Sequence, residues 1–128
     1  MTGVPQLARD VGIVLLNMGG PASEDDVRPF LQELFNDPAI LGVPWPVRPL
    51  LAGFIAWRRA PHSQERYRRL GGTSPLLQAC EDQARALEAL TGRPVRVAMR
   101  YRHPSASEAL DALQRRDVQR VIALPLFP

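Results

Sequence analysis

The sequence contains no lysine; all sixteen of its basic residues are arginine. It has one cysteine, Cys80, and two histidines, His62 and His103. Each shortage excludes something. A single cysteine can form no disulfide within the chain and no CxxC metal site, which suits a reducing cytoplasm. The two histidines stand apart, without the spacing of a metal-ligand set, and each reads as a structural or exposed imidazole. No Ser/His/Asp or paired-carboxylate arrangement can be assembled from spacing. No apolar run reaches the roughly 18 residues that cross a bilayer. The opening MTGVPQLARD has no positive start leading into an apolar stretch, so it is not a secretory signal. Residues 1–10 read instead as a short flexible lead-in. The formal net charge is +3, but the arginines are scattered except at 58–69. They lack the one-faced, aromatic-interleaved pattern of a nucleic-acid surface, and no nucleic-acid partner is expected.

What is present alternates between strand and helix signals. The unbroken apolar run Val11–Leu16 (VGIVLL) suits a strand buried on both faces of a parallel sheet. Gly19-Gly20-Pro21 breaks it. Ser23 is placed to cap a helix with Glu24, Asp25 and Asp26 in its first turn. Val27, Phe30, Leu31, Leu34 and Phe35 then share one face. Pro29 either bends this helix or moves its regular part to begin near Asp26. Asn36-Asp37-Pro38 ends it. Leu41–Trp57 is apolar and proline-rich, and Val47–Trp57 suits a helix beginning near Pro49. Gly71-Gly72 is a second break. Ser74 and Pro75 start another helix. Leu76, Leu77, Cys80, Ala84, Leu87 and Leu90 form its inward stripe, and Gly92 closes it. Val95, Val97, Met99 and Tyr101 alternate with polar or small residues as a second strand. Ser105 and Glu108 make a capping box, with Leu110 and Leu113 facing inward. Arg120–Leu126 is a third strand. This order predicts an α/β fold, an open parallel sheet with helices on both faces. Three strands leave an edge and one face poorly covered, so the sequence reads as part of a larger sheet.

The loop LLNMGGP (Leu15–Pro21) has the strand-glycine-helix outline of a phosphate cradle. It contains neither GxGxxG nor GxxxxGK followed by Ser or Thr. Pro21 offers no amide, and the acids after Ser23 would repel a phosphate. A flavodoxin-like nucleotide binder is thereby disfavoured. Met18 is then either gap-filling core or a soft wall residue for a flat apolar ligand at the carboxyl edge of the sheet. Arg58, Arg59, Arg66, Arg68 and Arg69 are by default a solvated helix face. Beside the Trp-rich segment they would also suit a ligand with an apolar body and carboxylate arms. Arg100 and Tyr101 end the second strand, and both can reach a cleft only where strand gives way to loop.

Three stretches resemble the N-terminal part of a ferrochelatase: LLNMGGP, then RRAP…QERYRRLGGTSPL (Arg58–Leu77), then MRYRHP (Met99–Pro104), in that order and spacing. The resemblance covers about residues 11–128. It implies a Rossmann-like open parallel sheet flanked by helices, the first half of a two-domain chelatase fold with a porphyrin cleft between the domains. On that reading 11–128 is the N-terminal domain, incomplete at its C-terminus, and Leu41–Trp57 resembles an apolar lip that in some members touches membrane. The implied activity is that of a lyase, insertion of ferrous iron, as substrate, into a porphyrin in heme biosynthesis. By the same resemblance Met18, Arg59, Arg66, Tyr67, Ser74, Arg100 and Tyr101 match substrate-contacting positions. The family's catalytic His and its acidic partner lie in motifs absent here. Neither His62 nor His103 matches them. The resemblance therefore assigns this chain no catalytic residue and no metal ligand, and implies no chelatase activity for it alone. A complete cleft needs the C-terminal half or a second copy. A cytoplasmic setting is expected, with membrane association as a further option; protoporphyrin against coproporphyrin, and an iron–sulfur cluster, stay open. Two alternatives also stand: a short homodimeric cobalt- or nickel-type chelatase, and a non-enzymatic porphyrin-binding module.

Overall fold

The structure, a computed structural model, describes residues 8–127. The first seven residues of the expected lead-in lie outside them. The elements are β1 (Val11–Asn17), α1 (Val27–Phe35), α2 (Val47–Arg69), α3 (Leu76–Thr91), β2 (Val95–Met99), α4 (Ala106–Gln114) and β3 (Arg120–Pro125). They divide into two compact units, one of Met1–Gly19 with Leu76–Pro128, the other Gly20–Pro75.

The first unit is built on a parallel sheet of order β2-β1-β3. β1 is central, with Ile13 opposite Val95 on one side and Ile122 on the other. This is why VGIVLL is apolar throughout: both faces of the strand are covered. Successive side chains point to opposite faces. Ile13 and Leu15 join Val95, Val97 and Met99 against Cys80 and Ala84 of α3. Val14, with Leu16 at its margin, joins Ala98 and Val118 against Ala109 and Leu113 of α4. The sheet is therefore open, parallel and flanked by helices, as the element order implies.

Two leucines expected inward are not. Leu90 is 84% exposed and Leu110 49%. At 3.6 residues per turn, Leu90 falls about a quarter-turn off the line through Cys80, Ala84 and Leu87. Leu110 falls similarly off the line of Ala109 and Leu113. Small residues carry the inner lines and let the helices sit close. β2 stops at Met99, short of the expected Tyr101, which is nonetheless buried.

The two sheet edges differ. On β2, the Val95 N–H donates to Glu88 Oε2 at 3.0 Å and the Met99 N–H to the Pro104 carbonyl at 2.7 Å. Arg96 and Arg116 hold Glu88 in place at 3.3 and 3.1 Å. The outer edge of β2 is thus largely occupied. All six residues of β3 are exposed, the poorly covered side that a three-stranded sheet leads one to expect.

α4 starts with the expected capping box. Ser105 Oγ accepts from the Glu108 N–H at 3.2 Å, and Glu108 Oε2 accepts from the Ser105 N–H at 2.6 Å. His103 Nδ1 lies 2.7 Å from the same oxygen. The Ser105 N–H first, then the His103 ring and the Ser105 hydroxyl, lower the Glu108 carboxyl from 4.5 to about 2.

In the second unit α1 packs on α2. Ser23 does not cap α1. Its Oγ accepts at 3.3 Å from Asp26, the N-cap residue, within a turn that holds all three acids ahead of Val27. The reason is Pro29. A start at Val27 puts it in the first turn, where its missing N–H has no partner to lose. α2 likewise takes Pro49 into its first turn, then runs through Pro61 to Arg69, well past Trp57. Ala52, Ala56 and Ala60, four apart, form its buried line. Trp45, ahead of α2, and Leu50 within it stay 73% and 79% exposed, with Phe54 and Trp57 also exposed.

Two predictions follow from these contacts. Leu113→Ala should cost about 2–5 kcal/mol of unfolding free energy, read as a lower urea midpoint. Because Glu108 has a lowered pKa in the fold, its contribution is complete above about 4.5 and lost as pH falls through about 2. The urea midpoints of the wild type and Glu108→Gln should therefore differ at neutral pH and converge near pH 2.

Candidate functional site

In the first unit, β1 and β2 end side by side, Asn17 opposite Met99. The chain beyond them is stitched at this carboxyl edge. The Arg100 N–H donates to the Asn17 carbonyl at 3.0 Å and the Tyr101 N–H to the Met18 carbonyl at 3.1 Å. The Met18 N–H donates to Asn17 Oδ1 at 2.8 Å. Met18 is half-buried, with its peptide groups held on both sides, so its long thioether side chain springs from a fixed base. Arg100 and Tyr101 both lie past the end of β2, which lets two consecutive residues serve one edge. Tyr101 is buried, Arg100 is exposed, and the guanidinium sits 5.7 Å from the Tyr101 ring centre, in cation–π range. The structure therefore brings Met18, Arg100 and Tyr101 together.

The second unit carries Arg59, Arg66, Tyr67 and Ser74. The five arginines of the 58–69 cluster are not equivalent. Arg68 is engaged by Glu24 at 2.8 and 3.1 Å and by Glu65 at 2.9 Å, and Arg69 by Glu65 at 3.3 Å. The Arg68 hydrogen bond holds the Glu24 carboxyl below its usual range, and Glu24 in turn raises Arg68. Both groups are solvent-exposed, so the pair fixes a loop more than it adds stability. Arg59 stacks on Phe35 at 5.2 Å. Arg66 is exposed and has no ion pair or hydrogen bond among the described residues, which leaves its full fork of donors for a carboxylate. Tyr67 is half-buried near the end of α2, and its carbonyl accepts from Leu70 at 3.0 Å and Gly72 at 2.7 Å. That turn needs Gly71 and Gly72 in succession, at φ 99° and 87°, a backbone region other residues rarely enter.

Ser74 follows. Its N–H donates to the Pro21 carbonyl at 3.0 Å. Its hydroxyl lies so close to Gly20 that a β-carbon there would overlap it. The two glycine breaks, far apart in sequence, thus meet in space, and Gly20 is required for that approach.

Among the described residues no cluster of His, Cys, Asp or Glu is placed to hold a metal ion. His62 is exposed, and exposed His103 pairs with Glu108. The first unit offers an apolar, polarisable contact beside Arg and Tyr at its sheet edge; the second, taken by itself, offers guanidinium donors on α2. Two participants escaped sequence reasoning, Asn17 and Glu24. A polar residue closing an apolar strand was the available signal for Asn17; nothing local pairs Glu24 with Arg68.

An open parallel α/β sheet flanked by helices defines a Rossmann-like fold. The ferrochelatase family model matches residues 10–128, and the chain belongs to the ferrochelatase family. It is 44% identical to the ferrochelatase of Trichodesmium erythraeum over 124 residues, 92% of this chain and 32% of that one. It is 47% identical to that of Gloeothece citriformis over 125 residues, again 92% and 32%. With that of Desulfotalea psychrophila the identity is 49% over 122 residues, 91% of this chain and 38% of the relative. The chain thus spans about a third of the length of the curated relatives it matches.

Gly20→Ala should lower unfolding free energy by about 1–3 kcal/mol through overlap with Ser74. Adding Ser74→Gly removes the clashing atoms and should recover most of that loss, a non-additivity that paired urea titrations would read.

Proposed function

We propose that this chain is the N-terminal part of a ferrochelatase and forms one wall of its porphyrin site. The observation that carries the reading is Met18, set at the carboxyl edge beside Arg100 and Tyr101 in a chain matched to the family over residues 10–128. The substrate is a flat apolar disc with carboxylate arms. Met18 contacts the macrocycle face, since a thioether adapts to a flat apolar surface. Arg59 and Arg66 receive the carboxylates as charge-assisted donors, with Tyr67 and Ser74 adding hydroxyl contacts and Arg100 and Tyr101 lining the pocket.

Iron insertion replaces two pyrrole N–H protons by one ferrous ion, so two protons must leave. None of the residues matched to the site here is a base suited to accept them. The accepting His and its acidic partner belong to the C-terminal remainder of the enzyme, and residues 11–128 act as a domain that binds and orients. Heme biosynthesis is the setting. The exposed Trp45, Leu50, Phe54 and Trp57 give the 41–57 lip an apolar outer surface suited to peripheral contact with a membrane. Among the described residues no helix is long and apolar enough to cross one.

The purified 128-residue chain should insert no iron at an enzyme-like rate, and such a rate would overturn this division of labour. In the complete enzyme, Met18→Ala should weaken porphyrin binding about three- to tenfold, comparable to losing one good contact, while the urea midpoint moves little. Unchanged porphyrin affinity and insertion rate would remove Met18 from the site.

A further inference from the structure

We infer that Asn17 is a positioning residue that holds Met18 in place and ties its loop to α3 through Cys80. The inference rests on the reading above, in which Met18 touches the porphyrin. Asn17 is the last residue of β1 and is half-buried. Its Oδ1 accepts from the Met18 N–H at 2.8 Å, and its Nδ2 donates to Cys80 Sγ at 3.5 Å. Cys80 is buried in α3 and packs with Ile13, Leu15 and Met99 in the sheet core. The Asn17 carbonyl also accepts from the Arg100 N–H at 3.0 Å. One residue therefore connects the strand, the Met18 loop, the Arg100 segment and the helix.

The chemistry asks for an amide. A half-buried polar group is costly unless its donors and acceptors are paired, and here both are. Asp would keep the acceptor for Met18 but lose the donor and set a charge beside a buried thiol. Leu would keep the volume and leave the Met18 N–H without its partner. The Met18 carbonyl stays held by Tyr101, so losing Asn17 frees one side of the Met18 peptide and lets it pivot about the other. The fold survives this, but the direction of the thioether is no longer set. Asn17 thus acts on the porphyrin through Met18 rather than by touching it.

The test is a double-mutant cycle in the complete enzyme: Asn17→Leu, Met18→Ala and the pair. Porphyrin affinity is read from the Soret band and stability from urea midpoints. Asn17→Leu should weaken porphyrin binding about three- to tenfold, the effect of one lost hydrogen bond. In the Met18→Ala background the same change should add less than about twofold. Asn17→Asp, which keeps the acceptor, should fall between, and Cys80→Ala should shift affinity in the same direction by less. An Asn17→Leu effect undiminished in the Met18→Ala background, or no effect at all, overturns the inference. Amide exchange of Met18 gives a second measurement independent of porphyrin. It should be several-fold faster in Asn17→Leu, and an unchanged rate rejects the tether. If the wild-type enzyme binds no porphyrin while Met18 exchange responds as expected, the functional reading fails and the tether stands.

Discussion

The first unit depends on β1 being paired on both sides. Because its Cα register is locked to β2 and β3 at once, no slip of one residue is tolerated. A slip would exchange Ile13 and Leu15 with Val14 and Leu16 between the two helix-covered faces. The register also fixes where the strand stops relative to β2. That shared stop is what lets the backbone of Arg100 and Tyr101 reach back to Asn17 and Met18. Packing in the core and geometry at the candidate site are consequences of the same ladder.

The second unit solves a different problem. α2 carries little bulk on its buried line and much on its exposed side. Ala52, Ala56 and Ala60 let it lie close to α1, while the tryptophans and Leu50 remain outside. At its far end, charge is divided by geometry. Arg68 and Arg69 are committed to Glu24 and Glu65, which fixes the loop after Pro21, while Arg66 keeps its donors free. Two residues apart, identical side chains serve structure in one case and remain available for ligand in the other.

Much of this was legible in the sequence. The apolar run of β1, the Ser105 capping box, the glycine breaks and the order of strands and helices are local signals, and the structure carries them. The resemblance to ferrochelatases rested on three motifs whose family assignment holds over residues 10–128. Of the two readings that Pro29 left open, the helix beginning near Asp26 holds, and Ser23 sits outside it. What local reading missed is tertiary. Leu90 and Leu110 looked inward until Ala84 and Ala109 took the contact lines. The fate of Arg68 depends on Glu24, forty-four positions away, and the role of Asn17 on Cys80, sixty-three away. No periodicity encodes such partners.

The unequal edges of the sheet give it a polarity. On one flank a carboxylate and a proline carbonyl already occupy the outer amides of Val95 and Met99; on the other, β3 keeps an uncovered apolar strand. The sheet resembles a growing polymer with one terminated end: any added strand has a single place to join, and the direction in which the architecture can be extended is settled within this unit.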